Sequence, residues 1–219
     1  MVKLHVKLWR DLWRLRGQGV AIAAVALCGI ASFVTLRGAY EALLDARASY
    51  YAQYRFADVF ASFKRAPLNI IAAAQQIPGV AMAEARIVFE AALDVPGLQE
   101  PATGRLVSLS MAGGLNQIHL REGSMPLQGN QHEILVSEAF SAANKLQAGM
   151  DIYAVINGRR DKLHITGIAI SPEYISEIRG NSFPDNRRFG VLWMDREALS
   201  GLLNMRDGCN DLSIRLAPG

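Results

Sequence analysis

Cysteine is nearly missing from this 219-residue chain, which has only Cys28 and Cys209. One lies inside an apolar run and the other close to the far end, so no internal disulfide is expected. A folded part without such a framework must be held by packing, which about 180 residues can supply. Histidine is scarce too. His5, His119, His132 and His164 have no ligand-like spacing, and no Cys-x-x-Cys pair accompanies them, so no metal site is expected.

The usual signatures of chemistry are also missing. The chain has no Gly-x-x-x-x-Gly-Lys-Ser/Thr phosphate loop, so it is not expected to hydrolyse ATP. Gly-x-Ser-x-Gly, His-Glu-x-x-His and the dinucleotide fingerprint are equally absent. Gly113-Gly114 is a lone pair of the kind that makes a turn. Glu138 follows Ser137 where a helix would begin, and negative charge suits that end of a helix. No residue is assigned a catalytic, cofactor-binding or metal-binding role, and the chain is not read as an enzyme.

Charge is unevenly spread. The net charge is +3, yet residues 1–37 hold six Lys/Arg against one Asp, and residues 38–219 carry a net −2. The larger part therefore lacks the basic surface of a nucleic-acid-binding domain.

What is present is a long apolar run. Val20 to Leu36 contains 17 consecutive residues without a charge, Pro, Asn or Gln, and Gly17-Gln18-Gly19 carries the uncharged stretch back to Arg16. At about 1.5 Å per residue this reaches the lower limit for crossing a hydrocarbon layer about 30 Å thick. The alternatives are a cleaved signal peptide and a buried core helix. Arg37, Gly38, Ala39, Tyr40 and Glu41 offer no good cleavage site, and Leu27 stands where a lipoprotein signal would place a small residue before Cys28. An uncleaved anchor is expected. Lys3, Lys7, Arg10, Arg14 and Arg16 precede the run, whereas basic residues beyond it are interleaved with acids, so the N-terminus is expected in the cytoplasm and the rest outside.

Residues 1–17 form a basic amphipathic segment, with Leu4, Leu8, Leu12 and Leu15 on one stripe beside Trp9 and Trp13, suited to the cytoplasmic lipid interface. The alternative is a plain basic flank that sets topology. Residues 18–37 are the membrane helix, and 38–54, rich in Ala, Leu, Glu and Arg, continue it as a stalk. A strand over 57–63, a helix from Pro67 to Gln76 and a long strand over 82–95 form a β-α-β unit. Short strands come next at 106–111, 134–137, 152–156 and 162–170, with Asn157-Gly158 as a two-residue hairpin and Ser137 capping a helix to about Lys145. Gly190 to Met194 is a strand, Asp195 caps a helix to about Leu203, and 212–216 is a last strand.

The expected fold class is α+β: a membrane helix and stalk, then a split ferredoxin-like subdomain (55–103 and 189–219) with an inserted β-rich subdomain, barrel or sandwich, at 104–188. The connection SPEYISEIRGNSFPDNRR, residues 171–188, is long and carries Tyr174, Ile175, Ile178 and Phe183 among charges. These four are the candidate contacts for a partner or substrate, because long connections with aromatic anchors suit such contact. The alternative is that Tyr174 and Phe183 merely close the end of the β-rich module.

Four segments, WRDLWRLRGQ, YRFADVFASFKRAP, EILVSEAFSAANKLQAGMDI and FGVLWMDREAL, together with their order around one membrane helix, resemble a particular ABC-transporter permease superfamily. It includes macrolide and toxin exporters, lipoprotein-releasing permeases and cell-division permeases. The resemblance covers nearly the whole chain. It implies an inner-membrane permease component whose periplasmic core domain couples ATP hydrolysis by a separate cytosolic ATP-binding subunit to export or extraction. The substrate would be lipid-like, a lipoprotein or a peptide. Membrane lipid and a permease dimer or second permease half are the other implied partners, and no cofactor is. The chain stops at Ala217-Pro218-Gly219 without a second membrane helix, so it is expected to be the opening portion of such a permease. From another class, a single-pass anchored extracytoplasmic sensor or adaptor would explain the single span equally.

Overall fold

The computed structural model describes residues 7, 9–10, 13–109, 113–175 and 185–217. Most of the segment read as an interfacial helix over 2–16, as well as Met111, Ile178 and Phe183, lies outside the described residues.

Helix α1, Arg16–Gln53, is 38 residues long, about 57 Å at the usual rise per residue, and buries none of them. It contains the whole uncharged run. Among the described residues it is the one helix long and apolar enough to cross a membrane. Beyond the run, Arg37 and Glu41 pair at 2.9 Å one turn apart. The chain divides into two compact units at Ser49/Tyr50.

The second unit holds two sheets. The smaller has three strands in the order β1-β10-β2, from Val59–Pro67, Gly208–Leu216 and Val80–Arg86, each pair antiparallel. Helix α2, Ile70–Gln75, covers it, and Ala74, Ala83, Ala85, Cys209 and Leu212 make its core. Pro67 ends strand β1 rather than starting the helix, and it pairs with Gly208. Its missing N–H is tolerated because β1 is an edge strand.

The larger sheet contains β3 (Val88–Asp94), β4 (Ala102–Ser108), β5 (His119–Gly123), β6 (Glu133–Ser137), β7 (Asp151–Ile156), β8 (Arg159–Ile170) and β9 (Phe189–Met194) in the order β5-β8-β6-β9-β4-β3-β7. The 12-residue β8 is shared. Its first half, residues 159–164, pairs with β7 and its second half with β6, so the sheet closes on itself as a small barrel. Asn157 (φ 51°) and Gly158 (φ 77°) make the β7–β8 turn with positive φ at both positions, as a type I′ hairpin requires. Inward residues such as Leu93, Leu106, Ile134, Ile152, Leu163 and Leu192 are fully buried, with Phe140 of α3 (Glu138–Asn144) and Leu199 of α4 (Arg196–Leu202) in the same core.

Three further expectations need correction. Met82 to Val95 is not one strand of one sheet, because the chain passes from β2 to β3 at the fully buried Ile87. Ile87 N–H donates to Ser108 Oγ at 3.0 Å, and Ile87 C=O accepts from Ser108 N–H at 2.9 Å, so the crossing residue keeps both backbone bonds. Strand β9 does not join the small sheet in a second β-α-β half. It runs between β6 and β4 in the barrel, its six residues all buried as a two-sided central strand demands. The small sheet is therefore three strands and one helix. Third, Ser137 stands at the N-cap of α3 without capping it, and its Oγ accepts from Val191 N–H across the sheet at 3.2 Å. Asp195, by contrast, caps α4 as expected, accepting from Glu197 and Ala198 N–H.

Several bonds tie the sheets together. Arg196 of α4 donates to the carbonyls of Ala85 and Gly208 at 2.8 and 3.2 Å. The Asn210 side chain exchanges two bonds with the backbone of Val88, imitating a strand pair.

Candidate functional site

Two of the four candidate contacts fall within the described residues, and they sit together at the end of β8. Ser171 leaves the strand in extended conformation and its Oγ accepts from Glu173 N–H, starting a 3₁₀ turn over Pro172–Tyr174. Pro172 suits that turn because its ring pre-sets φ. Tyr174 packs edge-on against Trp193 of β9 with centroids 6.3 Å apart. Ile175 is 68% exposed.

Tyr174 and Ile175 line a cleft of about 350 Å³ on the outer face of the barrel. Tyr50, Ala169, Ile170 and Trp193 supply its other apolar surface, and Ser137, Glu138 and Ser171 its polar groups. Such a volume, with mostly apolar walls and a few polar groups, is that of a small-molecule or side-chain pocket. The Trp193 ring is nearly wholly covered, at 3% exposure, and belongs to a second apolar cluster with Val107, Leu135, Ala169, Phe189 and Val191. Glu138 meets Arg121 at 3.2 Å at the rim.

Tyr174 also lines a second cleft, of about 430 Å³, with a different character. Phe60, Ser62 and Asp211 come from the small sheet, and Val88, Glu90, Arg105, Glu173 and Tyr174 from the barrel and its turn. Behind it Arg86 gathers three groups. Its guanidinium bonds both oxygens of Glu173, one through Nη1 and the other through Nη2 at 3.1 Å, and Asp211 Oδ1 through Nε and Nη2 at 3.0 and 2.6 Å. Ser62 Oγ donates to the other oxygen of Asp211 at 2.9 Å. The Phe60 ring lies 5.4 Å from the guanidinium carbon.

The side chains of Arg86, Asp211 and Glu173 are only 4%, 7% and 15% exposed, so each charge depends on its partners. Burial alone would lower the Arg86 pKa, but the bond to Glu173 and the charges of Glu173 and Asp211 outweigh it, and the net shift is upward. Burial is the main reason the Tyr174 hydroxyl is pushed up, and the Glu173 charge adds to it. Both groups stay protonated throughout the physiological range.

No local motif announced Arg86, Glu173 or Asp211. The available signal for Arg86 and Asp211 was a charge within a mostly apolar stretch, as in AEARIVF and CNDLSI. The described histidines are elsewhere. His119 Nδ1 meets the Tyr54 hydroxyl at 2.8 Å, His132 Nδ1 meets Lys162 C=O at 3.1 Å and His164 Nδ1 meets Asp151 at 2.8 Å. Among the described residues no three His, Cys, Asp or Glu side chains gather as a metal site would require. Gly113, at φ 84°, takes the turn expected of it and accepts a bond from Arg55.

No family model matches this chain, and no curated protein matches it. Among solved structures it is similar to the extracellular domain of the noncanonic ABC-type transporter YknZ from Gram-positive bacteria. The identity is 8%, over 73% of this chain and 83% of that one, with a TM-score of 0.47. It is also similar to the periplasmic region of MacB from Actinobacillus actinomycetemcomitans, at 10% identity over 69% of this chain and 64% of that one, with a TM-score of 0.41.

Proposed function

We propose that this chain is a permease component of an ABC-type transporter. It is anchored in the inner membrane by α1 with its N-terminus in the cytoplasm, and its two-sheet domain lies on the extracytoplasmic side. There the domain couples ATP hydrolysis by a separate cytosolic subunit to movement of a lipid-like, lipoprotein or peptide substrate. Membrane lipid surrounds the apolar run of α1, and the permease works as a dimer or with a second permease half. The apolar cleft at Tyr174 and Ile175 is the contact surface for substrate or partner.

One observation carries this best. The first and last strands of the outer domain meet at one place: Asp58 N–H donates to Ile214 C=O at 2.8 Å, and Leu216 N–H donates to the Asp58 carboxylate at 2.8 Å. A domain whose first and last described strands adjoin in this way is compatible with the proposed place beside a membrane anchor. The resemblance of the four sequence segments points the same way. A helix as long and as apolar as α1 supplies both the anchor and, beyond residue 37, a continuous element able to carry displacement.

Affinity purification of the tagged protein from its native membrane tests the proposal. An ATP-binding subunit in stoichiometric amount is expected, together with reporter fusions that place residue 16 inside and residue 217 outside. Recovery of the protein without any ATP-binding subunit would favour a single-pass anchored sensor or adaptor instead.

A further inference from the structure

Tyr174 lines both clefts, beside Trp193 and Ile175 in one and beside Phe60, Arg105 and Asp211 in the other. The Trp193 ring and Arg105 flank it, and its neighbour Glu173 fixes the turn that carries it. Glu173 ties the turn to the small sheet, through both carboxylate oxygens to Arg86. The turn itself is short, and the bond at its start, from Glu173 N–H to Ser171 Oγ, is a long one at 3.3 Å. Glu173 is also the most exposed of the three buried ions, at 15%, whereas Arg86 keeps a second partner, Asp211, in the rigid β2–β10 ladder.

We propose that the Arg86–Glu173 pair is a latch: it holds the Pro172–Tyr174 turn so that Tyr174 separates the apolar cleft from the charged one, and releasing it joins them into one continuous groove. Arg86 and Glu173 are thus positioning residues for the surface at Tyr174 and Ile175. This rests on the proposed role of that surface as a contact site. The asymmetry of the partners explains why the turn is the moving part. Arg86 and Asp211 remain paired in either state, and only Glu173 exchanges the guanidinium for water, which its partial exposure permits. The sheets stay joined throughout, because Arg196 and Asn210 tie them independently of the turn.

The test uses the full chain in detergent micelles with Trp9→Phe and Trp13→Phe, which leaves Trp193 as the sole tryptophan. Acrylamide quenching then reports how well Tyr174 covers Trp193. Tyr174→Ala is expected to raise the quenching constant several-fold, Tyr174→Phe to leave it unchanged because the ring remains, and Glu173→Gln to raise it nearly as far as Tyr174→Ala. A pair that only contributes stability would lower the melting temperature of Glu173→Gln without opening Trp193 to acrylamide, and that result overturns the latch. A Tyr174→Ala variant quenched no more than the parent overturns it too. Should Glu173→Gln fail to fold, Glu173→Asp keeps the charge on a stem one methylene shorter, and an intermediate rise is expected; no rise sinks the proposal. The assay contains no ATP-binding subunit and no substrate, so its failure leaves the permease proposal standing.

Discussion

Arg86 and Asp211 are direct partners across the β2–β10 ladder, 125 residues apart in the chain, with Nη2 and Oδ1 at 2.6 Å. Their pairing inside the small sheet is what lets Arg86 offer its other edge to Glu173. Replacing Arg86 by Met strands the largely buried Asp211 carboxylate and leaves Glu173 with only the partial access to water that its exposure gives. A loss of about 3–5 kcal/mol is expected for such a broken buried pair. Urea denaturation of the full chain in micelles measures it, and Arg86→Met combined with Asp211→Leu should lose less than Arg86→Met alone, since one stranded charge goes with its partner.

Gly190 in β9 faces Phe140 of α3. A Cβ at this position would stand 2.3 Å from Phe140 Cγ, and Phe140 is fully buried in the barrel core. Gly190→Ala is therefore expected to cost about 1–3 kcal/mol by overpacking. Adding Phe140→Leu should return part of that loss, giving a favourable coupling energy in a double-mutant cycle.

At the β7–β8 hairpin, Gly158 has φ 77° with nothing near its absent side chain. The cost of Gly158→Ala is thus conformational alone, about 1–2 kcal/mol for an L-residue held in the left-handed region. The denaturation midpoint should fall with the slope unchanged, while Asn157→Gly should shift it little.

Stability should fall at the acid end through Asp151 of β7. Lys162 Nζ lies 2.8 Å from one of its oxygens and His164 Nδ1 2.8 Å from the other. The Lys162 bond first, then that of His164, hold its pKa below the ordinary 3.8. A depressed carboxylate contributes stability that is complete above its unfolded value and disappears as pH falls through the folded one. Lys162, raised by the same bond, contributes below its ordinary 10.5 and loses that contribution as pH rises through its folded value. Melting curves between about pH 7 and pH 2.5 should show a smaller acid loss in Asp151→Asn than in the parent. Because the pair is exposed, the difference should shrink at high salt.

Leu43 and Leu44 lie in the part of α1 beyond the uncharged run. Two glycines there weaken the helix by about 1 kcal/mol each. On the proposed permease role, Leu43→Gly with Leu44→Gly in the complete transporter is expected to leave ATP hydrolysis running while transport falls. Transport at the parental rate would count against a mechanical role for this stretch.

Which features are legible in the sequence depends on how local each signal is. The apolar run of α1, the Asn157-Gly158 turn and the Asp195 cap are each decided within a few residues, and all are found where expected. Ile87 is different. Alternation continues smoothly from Met82 to Val95, and nothing in it says that the partners change from β10 to β4 halfway. Strand β9 is six apolar residues next to a helix, a pattern equally suited to either sheet, and only its partners β4 and β6 decide between them. Ser137 has the sequence of a cap, a serine before a helix, but Val191 N–H competes for the same oxygen. Tyr174 and Ile175 are legible as an aromatic-bearing connection. Their relation to Arg86, Phe60 and Asp211 is not, because those residues reach the site only when two sheets are assembled.

With Ile87 alone between β2 and β3, this crossing between the sheets has no slack and its residue is sealed from solvent, unlike the partly exposed return from α4 to β10 over residues 203–207. A protease has nothing to nick at that crossing. Small sheet and barrel should resist digestion together and come away as one fragment, any first cut falling elsewhere.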